Sequence, residues 1–175
     1  MDLRYLSLFK FSENVILKLI KMLKVVISMS EKKLDTQLND LVATWSVLYT
    51  KLHNYHWYVS GPSFFTLHTK FEELYNEVTL NLDDLAERIL SRGGKPVATL
   101  GEHLKLSIIE EASGEEAAEE MVEVTVADFK KIMDAVEKGM ELASEAGDDR
   151  TEDLLNAQYQ SLEKHSWMLS AFLGK

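Results

Sequence analysis

Apolar residues recur at intervals of three and four along several long stretches of this chain, and that periodicity leaves helix as the structure that can bury them. Leu34, Leu38, Leu41, Val42, Trp45, Leu48, Tyr49 and Leu52 mark the first stretch, which continues to about Tyr58. Ser60-Gly61-Pro62 then turns the chain, and Pro62 falls near the start of a second helix, where its missing N–H costs nothing. That helix reads without interruption from Phe64 to about Arg92 and stops at Gly93-Gly94-Lys95-Pro96. A connector of about twenty residues follows, with a short helical piece around Leu100 to Leu106; a connection that long has structure of its own or crosses the bundle. Ser113-Gly114-Glu115-Glu116 opens a third helix, its early acids suiting the helix dipole. Met121, Val122, Thr125, Phe129, Ile132, Met133, Val136 and Met140 carry its inner face, and Ala146-Gly147-Asp148-Asp149 breaks it. A fourth helix from about Thr151 shows Leu155, Leu162, Leu169 and Phe172. The spacing predicts an all-α, four-helix bundle with a short extra helix between helices 2 and 3.

Composition agrees. The 175 residues suffice for one domain with a proper core, and 46% hydrophobic content excludes both a disordered chain and a membrane bundle. Cysteine is absent, which removes disulfides, thiolate metal sites and Cys nucleophiles, and fits a cytoplasmic location. Net charge is −10, and residues 1–29 hold a basic surplus of three (Arg4, Lys10, Lys18, Lys21 and Lys24 against Asp2 and Glu13), leaving about −13 on the remainder. A body that acidic attracts cations and repels phosphate backbones.

Residues 1–29 are of another character. Lysines interrupt every apolar run between Asn14 and Ile27, so the segment is too broken to span a bilayer, and it lacks the pattern of a signal peptide. As a helix it would be basic and amphipathic, of the kind that lies on a membrane or touches nucleic acid. The plainer reading takes Met29-Ser30-Glu31-Lys32 as the start, with 1–29 an extension outside the fold, 30–175 the domain and no membrane partner.

The second helix carries the chemistry. His68 and Glu72 sit one turn apart on one face, as do Asp83 and Glu87, and all four fall within a ~100° arc. Yet the two pairs are ~22 Å apart along the axis, while a transition metal holds its ligands at ~2.0–2.2 Å. One copy of the helix makes two half-sites. Paired antiparallel with a second copy about a two-fold axis, each His68/Glu72 faces the partner's acids, and Tyr75 and Thr79, near the helix midpoint, lie close to their own symmetry copies. His56, in phase with Trp45 and Leu52, points inward or to an interface. His53, His103 and His165 read as ordinary surface histidines. Asp83 and Glu87 would repel each other when exposed; a cation between them, or Arg88, relieves that. Imidazole and carboxylate without thiolate suit non-haem iron and tolerate zinc or manganese. None of the five histidines has Glu three residues before it, which disfavours a di-iron centre buried inside one subunit. Asp148, Asp149, Glu152 and Asp153 form an acid cluster at a helix start, ordinarily a cap and, in an oligomer, a possible ring around a cation pore. There is no Gly-x-Ser-x-Gly, Walker loop or dinucleotide fingerprint.

These residues resemble a known family, the Dps-type miniferritins. His56-Trp57-Tyr58-Val59-Ser60-Gly61, five further residues to Leu67-His68, and then Glu72 resemble its first signature. Leu82-Asp83-Asp84-Leu85-Ala86-Glu87-Arg88 followed by Gly93-Gly94-Lys95-Pro96 resembles the second, and the likeness extends over most of Leu34 to Lys175. The resemblance implies a ferritin-like four-helix bundle assembled as a hollow dodecamer. It also implies ferroxidase centres at two-fold interfaces, with His56, His68 and Glu72 from one subunit and Asp83 and Glu87 from the other. Trp57 would lie beside the centre. Such proteins oxidise Fe(II), preferentially with hydrogen peroxide, and store the ferric mineral inside, protecting against oxidative damage. Two departures stand out: Glu72 replaces the Asp of many members, and Arg92 replaces an apolar residue before Gly93, which would loosen that helix end. DNA-binding members carry a basic terminal tail; here only Lys32 and Lys33 follow Met29, so the chain reads as a non-DNA-binding member. The competing function is non-specific DNA shielding through the basic N-terminal segment.

Overall fold

The computed structural model describes residues 3–175, with side chains from residue 16 onward except those of residues 24, 27 and 28. Five helices follow one another: α1 Leu3–Tyr58, α2 Phe64–Ser91, α3 Leu100–Leu106, α4 Ala118–Ala146 and α5 Asp149–Phe172. Helices α1, α2, α4 and α5 form the bundle, with α1 packed on both α2 and α4, α4 on α5, and α3 against α1. Among the described residues there is no strand.

Helix α1 begins far ahead of the start expected near Leu34, because nothing around Met29-Ser30 stops a helix: neither proline nor glycine precedes Gly61. Among the described residues burial begins at Ser30 and Leu34; Ile16 to Ile20, Met22, Leu23, Val25, Val26 and Met29 are exposed. From there Leu34, Leu38, Leu41, Val42, Trp45, Leu48 and Leu52 are buried as the spacing predicts, whereas Tyr49 lies at the surface. On α4, Met133 and Met140 only border the core, and on α5 Phe172 is exposed.

The connector is pinned where it crosses α1. Asn39 Oδ1 accepts from the Val97 N–H at 2.7 Å, and Thr44 Oγ1 accepts from the Ile108 N–H at 3.2 Å. Thr99 caps α3 and bonds Glu102 in return. Helix α4 starts at Ala118, five residues after the expected Ser113. The Glu116 carboxylate accepts from the N–H groups of Ser113 (2.8 Å) and Gly114 (2.9 Å), holding a loop with Gly114 at φ +80°.

Glycine ends α4 as expected. Gly147 is left-handed at φ +68°, with the Asp148 N–H reaching back to the Ala143 carbonyl at 2.9 Å. Asp148 then caps α5, and its carboxylate also takes Arg88 Nη2 at 2.6 Å and Arg92 Nη1. Two expectations change here. Arg92 fastens the end of α2 to Asp148 and to Asp35 of α1 rather than loosening it. Arg88 turns to Asp148 and Thr151, away from the repelling acids Asp83 and Glu87. Of the acid cluster, Asp148 is therefore committed to two arginines within its own subunit, which argues against its lining a pore.

Candidate metal centre

The turn between α1 and α2 sets the site. It brings the last turn of α1 against the first of α2, so that His56 and His68 meet. Their Nδ1 atoms bond reciprocally: His56 Nδ1–H donates to the His68 carbonyl at 2.8 Å, and His68 Nδ1–H donates to the His56 carbonyl at 2.8 Å. A carbonyl can only accept, so each Nδ1 carries the proton and each Nε2 is left with its lone pair. The rings stack at 3.7 Å with 19° between planes, and Phe64 stacks on the other side of His68 at 4.9 Å. His56 is buried and His68 partly so. Two parallel imidazoles, each locked in the Nε2-ligating tautomer by a backbone bond, are what a metal ligand requires of its outer support.

Glu72 lies one turn beyond His68, exposed. Tyr75 sits edge-on to His56 at 5.3 Å and stacked on His53 at 3.8 Å; partial burial and the Glu72 carboxylate raise its pKa. Trp57 is 67% exposed and meets His53 edge-on at 5.2 Å. Asp83 and Glu87, exposed and one turn apart on α2, are not brought to His56, His68 or Glu72. Among the described residues of one chain, no three His, Cys, Asp or Glu side chains gather to hold a metal.

Two histidines read as ordinary surface groups are not so. His53 donates to the Tyr49 carbonyl at 3.0 Å and forms the stack on Tyr75. His165 joins α5 to α2: its Nε2 bonds Glu77 at 2.8 Å and its Nδ1 accepts from Lys70 at 3.3 Å. Ser161 donates to the same Glu77, whose pKa is lowered chiefly by the His165 bond. Both contacts cross between helices, so periodicity along a single helix gave no signal for them.

An all-α bundle with a short helix in its long connector, and a tautomer-locked histidine pair at the α1–α2 turn, defines a ferritin-like protein. The family described as Ferritin, ferritin-like domain, matches residues 35–175. "DNA protection during starvation protein 2" of Bacillus anthracis is 55% identical over 144 residues, covering 82% of this chain and 99% of that protein. Dps from Staphylococcus aureus superposes with TM-score 0.80 at 51% identity, over 81% of this chain and 95% of its own. A Dps protein from Vibrio cholerae O1, described as a member of a broad superfamily of ferritin-like diiron-carboxylate proteins, superposes with TM-score 0.80 at 35% identity, over 83% and 91%. The chain belongs to the ferritin-like family, as a Dps-type miniferritin.

Proposed function

We propose that this protein is a ferroxidase and iron store: it oxidises Fe(II), preferentially with hydrogen peroxide, and sequesters the ferric product within a hollow homo-oligomer in the cytoplasm. The catalytic and metal-binding residues are His56, His68 and Glu72 of one subunit with Asp83 and Glu87 of its two-fold mate. The carrying observation is the reciprocal locking of His56 and His68, which presents two lone pairs side by side at the edge of the bundle. The acids completing the set stand ~22 Å along α2, too far to serve the same ion within one chain. An antiparallel copy of α2 brings them opposite.

In this reading the imidazoles bind Fe(II) and the carboxylates offset the charge that rises on oxidation. Peroxide is reduced by two electrons, one from each of two Fe(II) ions, and its oxygen–oxygen bond breaks to give two waters, consuming two protons. No hydroxyl radical is released when both electrons are supplied together. The acidic body draws in the cation. The ferritin-like diiron-carboxylate description of the Vibrio relative supports iron as the metal.

The test is the ferric absorbance that grows after a stoichiometric peroxide pulse to protein loaded anaerobically with Fe(II). The double substitution His56→Ala/His68→Ala should slow it by at least about a hundredfold, in the range of lost metal ligands and their supports, with the helical circular dichroism retained. Unchanged kinetics would remove these residues from the site.

A further inference from the structure

Residues 16–29 continue α1 for ~20 Å beyond Ser30, the first buried one among the described residues, at 1.5 Å per residue. On this projection Ile16, Leu19, Ile20, Leu23, Val26 and Met29 are each 45 to 61% exposed. At ~100° per residue five of these six, Met29 excepted, occupy an arc of ~120°, and Lys18 and Lys21 lie on the opposite side, flanked by exposed Leu17, Met22 and Val25. We propose that this segment is a membrane-surface helix that docks the protein on an anionic phospholipid bilayer. Its apolar face would enter the acyl boundary and its lysines would meet the headgroup phosphates.

Three observations select that occupant. Between Val15 and Met29 there are three lysines and no Asp or Glu, so the segment carries a positive charge that an anionic surface would neutralise. Duplex nucleic acid would take the lysines and leave the apolar face in water, whereas a lipid interface accepts both faces at once. The segment is also unable to cross the bilayer: no helix of the described residues is long and apolar enough. Surface association is the arrangement consistent with all three, and it goes beyond the expectation that no membrane is involved. Several copies in one oligomer would add avidity to a weak single contact.

Co-sedimentation of the full-length protein with phosphatidylglycerol vesicles, against phosphatidylcholine vesicles and duplex DNA, tests this. The expected result is salt-sensitive binding to phosphatidylglycerol alone. Leu19→Asp/Leu23→Asp should weaken it by at least about a hundredfold, from two buried leucines lost at ~1.5–3 kcal/mol each. Lys18→Glu/Lys21→Glu should weaken it at least about tenfold, at ~1 kcal/mol per lysine. Both variants should keep the oligomeric mass of the parent by light scattering and its iron-oxidation rate, so failure here is separable from failure of the ferroxidase reading. Equal binding to both vesicles, binding to DNA that survives Leu19→Asp/Leu23→Asp, or a change in oligomeric mass in either variant would overturn the proposal.

Discussion

At the scale of single residues, the most consequential buried polar contact outside the candidate metal centre is Lys51 with Asp128. Nζ and Oδ2 lie 2.6 Å apart, and their side chains are 3% and 4% exposed. Desolvating two charges is expensive, so the pair holds because each satisfies the other, and removing one leaves the other stranded. Lys51→Ala should cost about 3–5 kcal/mol in urea unfolding, while Lys51→Met with Asp128→Leu should be near neutral. Equal losses in the single and double variants would show that packing, not charge, holds α1 to α4 there. The sequence marks Lys51 merely as a lysine inside a helix. Its partner, 77 residues away, is not legible in any local pattern.

At the scale of elements, the termini of the helices separate what could be read from what could not. Stops written by glycine were legible: Gly93 and Gly147 both adopt positive φ where α2 and α4 end. Starts written by side chains were not, because Ser113 resembles a cap until the Glu116 carboxylate is seen to take the N–H groups that a helix would need. The same carboxylate gives α4 a pH-sensitive entry. Burial opposes its ionisation, but the Ser113 N–H, its own backbone N–H and the hydroxyls of Ser113 and Tyr55 hold its pKa down to about 2, against an ordinary 4.5. A depressed folded-state pKa means that this stabilisation is complete above about pH 4.5 and is lost as pH falls toward 2. Glu116→Gln should therefore flatten the acid limb of the stability curve in that window and change its slope little at neutral pH. An unaltered acid limb in urea melts would disprove the assignment. Arg92 belongs with the illegible starts: beside a helix stop it reads as an intruder, and only the packed bundle reveals Asp35 and Asp148 waiting for it.

At the scale of the whole molecule, the proposed site would be divided by geometry that the sequence already contains. The spacing along α2 separates His68/Glu72 from Asp83/Glu87 before any fold is known; the bundle adds His56 and the ring stack. A shared centre makes a particular prediction about mixtures. His56→Ala/His68→Ala and Asp83→Ala/Glu87→Ala should each be inactive alone. Unfolded together and refolded, they should recover about a quarter of parental iron oxidation: half of two-fold contacts are then mixed, and each mixed contact rebuilds one of its two centres. No recovery would place each centre within one subunit. The reciprocal bonds of His56 and His68 have one more consequence. Because each imidazole is oriented by the backbone of the other's helix, a cation seated on both Nε2 atoms acts as a clasp on the α1–α2 hairpin, engaging only while the turn is closed. Ligands that bind the folded state alone raise its melting temperature with their concentration. Melts with Zn(II), a redox-silent stand-in, should rise for the parent and stay flat for His56→Ala/His68→Ala. If the protein is the proposed iron store, it would then be most durable where free metal is most abundant.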